Sequence, residues 1–220
     1  MYRRCVTTSA VNSIEKRGRP RLRSDDEILR AALVAFAEHG YDRMSLRNLN
    51  AELGLSRGTI NQRFGSKEQL WYSAVDNGFE ALLKDINTEL QCSQTAPDDL
   101  AQLRAFIRAF LIASVRRPEL VRLMNHEGLH ASSRLDHIVD SFVMPAMATP
   151  MQALRRLEAT GHAKSVPARM LLFLVAHGAA APFTLRPLSD RFDGVDGTLD
   201  PISHVEAVTD VVVRGIAGKG

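Results

Sequence analysis

Apolar residues recur every three or four positions from Ile28 almost to the end of the chain, and no stretch alternates long enough to make a convincing strand. The spacing predicts an all-helical protein. Its first stripe is Ile28, Leu29, Ala32, Leu33 and Phe36. Ser24-Asp25-Asp26-Glu27 opens it as a capping box, and Gly40 closes it. Leu46, Leu49 and Leu53 form a second, shorter stripe behind Ser45, which can cap it, and Gly54 supplies the left-handed residue that ends it. Leu55 fills the gap to a third helix, for which Ser56 is the expected cap and Ile60 and Phe64 the inward residues. Ser66-Lys67-Glu68-Gln69 is a second capping box. It opens a helix through Leu70, Trp71, Ala74, Val75, Phe79, Leu82 and Leu83 toward Leu90.

Residues 91–97 are a polar break, after which Pro97-Asp98-Asp99 starts a new helix carrying Leu100, Leu103, Ile107, Phe110, Leu111 and Ser114 on one face. A short helix is expected from Leu120 to Leu129. A long one should run from Leu135 to near Gly161, kinked or interrupted by Pro145 and Pro150. Pro167 opens an apolar helix to about Ala180. The stretch LRPLSDRFDGVDGTLDP reads as a turn-rich loop, and a last helix runs from Ile202 to about Val213.

The pattern leaves Arg57, Thr59, Asn61, Gln62 and Arg63 on the outer face of the third helix. A helix, a tight turn and a second helix with a polar, basic surface is what a reader of the DNA major groove requires. Charge agrees: residues 1–70 hold 13 of the 28 Lys and Arg but only 8 of the 25 acids, so the excess lies beside the hairpin. Residues 1–23 have no helical period. They read as a flexible basic arm whose KRGRPRLR end, with Arg21 and Arg23, suits a minor groove or a solvated tail. Two cysteines, Cys5 and Cys92, cannot make a disulfide framework and fit a reducing cytoplasm; no apolar run suggests a membrane span or a signal peptide.

Residues 24–83 resemble the DNA-binding domain of the TetR family of bacterial transcriptional repressors. The resemblance rests on AFAEHGYDRMS, on ELGLSRGTI and on the F-x-SKEQL entry to the fourth helix. It implies a boundary near residue 70, with a helix-turn-helix domain at 24–70 and a helical effector-binding and dimerisation domain at 71–220. It implies base or nearby phosphate contacts for Arg57 and Thr59, with Ser56 and Gly58 at the entry to the recognition helix, and phosphate contacts for Ser45, Arg63 and Lys67. The sequence departs from the family where Asn61 replaces a usual tyrosine and Asn50 a usual alanine. Asn61 can bond adenine bidentately, and Asn50 needs a partner if it is buried. The resemblance also implies a homodimer through the last two long helices. Leu171, Leu174, Val175, Gly178 and Ala179 on one, and Val205, Val208, Val212 and Ile216 on the other, would face the partner or form ordinary core.

For the effector, expected to be a small and partly apolar molecule, the candidate lining is Phe106, Phe110, Met124, Phe142, Met144, Met147, Met151, Phe173 and His177, residue types that also serve as core. His126-Glu127-Gly128-Leu129-His130 matches the H-E-x-x-H signature of zinc proteases. If that stretch is helical, His126 and His130 share a face. They could then hold a regulatory metal, line the effector pocket or sit at a solvated helix end, with His137 or Asp136 as a third ligand for a hydrolase. Gly128 and Ala131-Ser132-Ser133 argue for a short helix there. No Gly-rich phosphate loop, Ser/His/Asp arrangement or Cys-x-x-Cys pair is present, so no enzyme activity, metal or cofactor is expected. The expected partners are double-stranded operator DNA, the effector and a second copy of the chain.

Overall fold

The computed structural model describes residues 23–92 and 98–218; the basic arm with Arg21, the break at 93–97 and Pro97 lie outside them. The described residues are helical, with no strand beyond one isolated bridge between Ala163 and Ala217. The first helix, α1 (Asp25–Arg43), is held by the reciprocal cap read from the sequence. The Glu27 N–H donates to Ser24 Oγ at 3.2 Å, and the Ser24 N–H donates to the Glu27 carboxylate at 2.9 Å. Gly40 leaves the helical region at φ 72°, and one more turn follows it to Arg43. The helices α2 (Leu46–Glu52), α3 (Thr59–Phe64) and α4 (Lys67–Cys92) follow. A second reciprocal cap opens α4: the Ser66 N–H donates to Gln69 Oε1 at 3.0 Å, and the Gln69 N–H to Ser66 Oγ at 3.1 Å.

Ser56 does not cap the third helix. Gly58, at φ 82°, takes a left-handed conformation and becomes the residue before the first turn, so α3 begins at Thr59. The Ser56 hydroxyl instead pairs with the Thr59 hydroxyl at 2.7 Å. Asn50 is buried and finds its partners: its amide donates to the Leu46 carbonyl at 2.8 Å and its Oδ1 accepts from the Ile60 N–H at 3.4 Å, so it stitches α2 to α3.

The rest comprises α5 (Asp99–Arg116), α6 (Pro118–Glu127), α7 (Ser133–Ile138), α8 (Met144–Ala159), α9 (Ala168–Leu172) and α13 (Pro201–Ile216). Short turns lie between the last two. Asp98 caps α5 by accepting the Ala101 N–H at 2.8 Å. The long helix expected from Leu135 is α7 and α8 joined by one wide π-helical turn, Val139–Val143. That turn lies just upstream of Pro145, whose ring and missing N–H cannot be fitted into an ordinary α-helical ladder. Pro150 is carried inside α8. A second wide turn, Phe173–Ala179, continues α9. The stretch read as a loop after it is a string of single turns: α10 (Ala181–Thr184), α11 (Arg186–Ser189), a tighter turn at Asp190–Phe192 and α12 (Asp193–Asp196).

Two buried clusters hold the molecule. One joins Phe36, Leu49, Ile60 and Trp71 to Leu120, Leu123, Ile138 and Phe142, and so runs from α1–α3 through α4 into α6 and α7 without a gap at residue 70. Gly78 makes this possible. A Cβ there would stand 2.6 Å from Leu33 Cδ2 and 3.1 Å from Leu120 Cδ2, so the glycine lets α4 lie against both α1 and α6. The other cluster packs Leu103, Ile107 and Leu111 of α5 against Leu154, Leu171, Val175, Val205, Val212 and Ile216. Leu171, Val175, Ala179, Val205, Val212 and Ile216, candidates for a dimer face, are therefore core within one chain, because α13 turns its apolar stripe toward α5.

Candidate nucleic-acid interface and interior cavity

The tight turn at Gly54, which has φ 65°, sets α3 across α2 and presents its outer side to solvent. Arg57, Asn61 and Gln62 are exposed, and Thr59 is half-buried. Arg57, Gly58 and Asn61 meet Arg47 and Asn50 around a shallow cleft of about 400 Å³ between the two helices. Arg47 was not among the sequence candidates. Its signal was its place two residues after the Ser45 cap, on the exposed side of α2.

The flanking candidates are tied down by the protein itself. Ser45 Oγ accepts the Asn48 N–H at 3.4 Å. Arg63 forms an ion pair with Asp25 and donates from Nη1 to the Arg23 carbonyl at 2.6 Å. Arg23 reaches Glu27 at 3.2 Å and the Leu53 carbonyl at 3.5 Å. Lys67 donates to the Asp42 carbonyl at 3.2 Å, with its ammonium 4.8 Å from the centre of the Tyr41 ring.

Behind this surface, α4, α5, α6, α8 and the wide turns enclose a cavity of about 100 Å³. Phe106, Phe110, Met124, Phe142, Met147 and His177 line it, six of the candidates read from the sequence. The others are placed elsewhere. Met151 packs on the α5–α13 cluster, Met144 and Phe173 are exposed, and His126 and His130 lie on the surface. His177 is half-buried and its Nδ1 stands 2.6 Å from Asn125 Oδ1; burial holds its pKa below the ordinary histidine value. Phe79, Ile107, Leu171 and Val175 also line the cavity without any cue in their spacing, because residues on a helix's apolar stripe look alike whether they meet a neighbour or a void.

The family model of the bacterial regulatory proteins of the tetR family matches residues 28–71, which span α1 through the start of α4. Over those residues the chain matches the TetR family. Among curated relatives, the HTH-type transcriptional repressor AcnR of Corynebacterium glutamicum is 48% identical over 48 residues, 22% of this chain and 26% of that protein. The repressor NicS of Pseudomonas putida is 30% identical over 114 residues, 50% of this chain and 52% of its own. An HTH-type transcriptional regulator of Mycobacterium tuberculosis is 26% identical over 54% of this chain and 62% of its own length. The chain thus spans less than two thirds of each of these relatives. For the fold, the ketosteroid transcriptional regulator KstR2 of Mycobacterium tuberculosis superposes with a TM-score of 0.66 at 17% identity, covering 91% of this chain and 98% of that one.

The H-E-x-x-H stretch does not form a metal-binding turn. The helix α6 ends at Glu127, so His130 falls beyond it and the two histidines do not share a helical face. Glu127 is buried and accepts from Arg134 Nε at 3.0 Å. The Arg134 guanidinium lies 3.9 Å from the centre of the Tyr41 ring and 5.8 Å from that of Trp71. This places a buried ion pair, not a catalytic base, where α6 and α7 meet the end of α1. Among the described residues no three His, Cys, Asp or Glu side chains group as metal ligands would, and no helix is long and apolar enough to cross a membrane.

Proposed function

We propose that this chain is a homodimeric transcriptional repressor that binds a palindromic operator and is released when a small molecule occupies the α4–α8 cavity. The observation that carries the reading is the pairing of two features on shared helices. An exposed polar, basic face on α2–α3 is packed through α1 onto α4 and α6, and those two helices also supply Phe79, Leu82, Leu120 and Met124 to the cavity wall. Two relatives named repressors, AcnR and NicS, support the sign of regulation. In this reading Arg57, Asn61 and Thr59 meet bases, with Arg47 beside them. Ser45 and Lys67 meet phosphates, and Arg63 sets the angle of α3 against α1 through Asp25. The exposed Met170, Phe173, Leu174, Ile202 and Val211 form the dimer face along α9, its following turn and α13. Two copies then present two recognition helices to half-sites one helical turn, about 34–36 Å, apart.

Release requires that the ligand bind the DNA-incompetent arrangement more tightly than the competent one. The contacts offer a physical connection. Phe142 and Phe79 stack at 5.0 Å in the cavity wall, and His137 meets the Phe142 ring at 5.8 Å and the Tyr72 ring at 4.9 Å while bonding Asp76 at 2.6 Å. Trp71, Arg134 and Tyr41 continue the packing to Lys67. A tilt of α4 or α6 would change the separation of the two recognition helices. Gel-shift with the DNA upstream of the chain's own gene tests the reading. Retardation that Arg57→Ala weakens at least about tenfold is expected, and no retardation of that DNA in wild type would overturn it.

A further inference from the structure

We propose that the molecule this cavity takes is uncharged, elongated and mostly apolar, and carries a hydrogen-bond donor at the end that reaches His177. The inference rests on the effector reading above and names the chemical class of that effector. The cavity of about 100 Å³ is too small for an ordinary effector, but it is not isolated. A groove of about 590 Å³ between α4, α5 and α8 shares Leu83, Ile86, Phe106, Ala146 and Pro150 with it. Those five side chains line both spaces, so the two adjoin, and we take the groove as the outer and the cavity as the inner part of one site.

Among the described residues no Asp, Glu, Lys or Arg lines either chamber. The polar groups of the groove are neutral: Asn87, Gln91, Gln102 and Thr149. Glu80 and Lys84 line a shallow cleft on α4 that meets the groove at Leu83, Asn87 and Gln91, so these two charges stand at the groove's outer rim and not in its lining. A carboxylate or ammonium brought into the site would lose its water and gain no counter-charge, whereas an uncharged apolar chain loses nothing of the kind. In the inner chamber the Ser114 hydroxyl is already given to the Phe110 carbonyl at 2.8 Å. That leaves His177. Its Nδ1 faces Asn125 Oδ1, an atom that only accepts, so the ring proton sits on Nδ1, and Nε2 keeps a lone pair that takes no hydrogen bond among the described residues. A hydroxyl or N–H on the ligand is the complement to that lone pair.

Binding of four twelve-carbon probes to the full chain tests this: dodecanol, dodecyl methyl ether, dodecanoate and dodecylamine at neutral pH, each below its aggregation concentration, by calorimetry. Dodecanol should bind about tenfold or more tightly than either ionic probe, and more tightly than the ether. His177→Leu should erase the preference for alcohol over ether. Ala146→Phe, in the shared wall, should weaken both neutral probes while circular dichroism still reports a folded chain. An ionic probe binding as tightly as the alcohol would overturn the neutral-ligand inference, and equal affinity for alcohol and ether in wild type would overturn the role of His177. Neither result would touch the effector reading, which stands or falls on whether whichever probe binds releases the gel-shifted DNA. If no probe binds a folded chain, the inference falls.

Discussion

The outward face of α2 and α3 and the cavity behind it are built by opposite means. The face is local: about twenty consecutive residues, with Gly54 and Gly58 shaping the turn, hold Arg47, Arg57 and Asn61 in solvent. The cavity is assembled from stretches as far apart as Phe79 and His177, and its wall is apolar side chains from five helices and two wide turns. Substitutions on the face should therefore change DNA binding and leave stability alone, while those behind it should change stability first. The region between them, where Glu127 pairs with Arg134 under Tyr41, should do both.

That joint gives the largest expected effect. Glu127→Ala removes the anion of a buried pair and leaves the Arg134 guanidinium, itself three quarters covered, without its partner. We expect a loss of about 3 kcal/mol of unfolding free energy, measured by denaturant titration, with DNA affinity falling alongside. An unchanged midpoint would mean that the pair adds nothing, and that the two regions are joined only through α4.

Next comes the face. Arg57→Ala should weaken operator binding by about 1–3 kcal/mol and relax sequence preference at one position of each half-site, with the unfolding midpoint within about 0.5 kcal/mol of wild type. If stability falls instead, Arg57 is a packing residue and the division between face and interior is drawn in the wrong place.

Legibility follows the same division. The capping boxes at Ser24 and Ser66 and the left-handed Gly54 could be read because each is settled among residues close in sequence. Ser56 misled because the choice between Ser56 and Gly58 as the residue before α3 is a contest between two local signals, and the left-handed glycine prevailed. The H-E-x-x-H match could be weighed against Gly128 and Ala131-Ser132-Ser133, which argue for a short helix, and α6 stops at Glu127. Val205, Val212 and Ile216 could be read as a buried stripe, but not as one turned to α5 in preference to a partner subunit. Whether a Phe or Met meets a neighbour or a void is settled only by tertiary packing, so Met147 and Met151, four residues apart, end on different walls.

Asn50→Ala probes the boundary of the face from within. It deletes the bonds to the Leu46 carbonyl and the Ile60 N–H, and we expect about 1 kcal/mol of lost stability, with a loosened α2–α3 angle that lowers DNA affinity without altering its salt dependence. Lys67→Ala should do the reverse. Stability stays, and the slope of log affinity against log salt becomes shallower by about 1, the signature of one lost phosphate contact. A salt slope that does not move would assign Lys67 to the Asp42 carbonyl and the Tyr41 ring alone.

The smallest effect is one the two regions should share. Glu27 closes the cap of α1, where the Ser24 N–H first and Arg23 second hold its pKa below the ordinary value; Asp200 caps α13, where Ser203 lowers its pKa in the same direction. A carboxylate whose pKa is lowered by folding stabilises the folded chain above its unfolded pKa, and that contribution disappears as pH falls through the folded pKa. Both caps therefore weaken in the same acid window, below the ordinary carboxylate range of about 4. Both groups are solvent-exposed, so the change is small. Glu27→Gln and Asp200→Asn keep an acceptor oxygen but no longer titrate, so each should flatten part of the decline in unfolding midpoint between neutral pH and about pH 3. The two flattenings should add in the double variant, since the caps belong to different helices and share no partner. If only Glu27→Gln flattens the decline, acid acts through the DNA-binding end first, and the two regions unfold as separate units in spite of the core that runs between them.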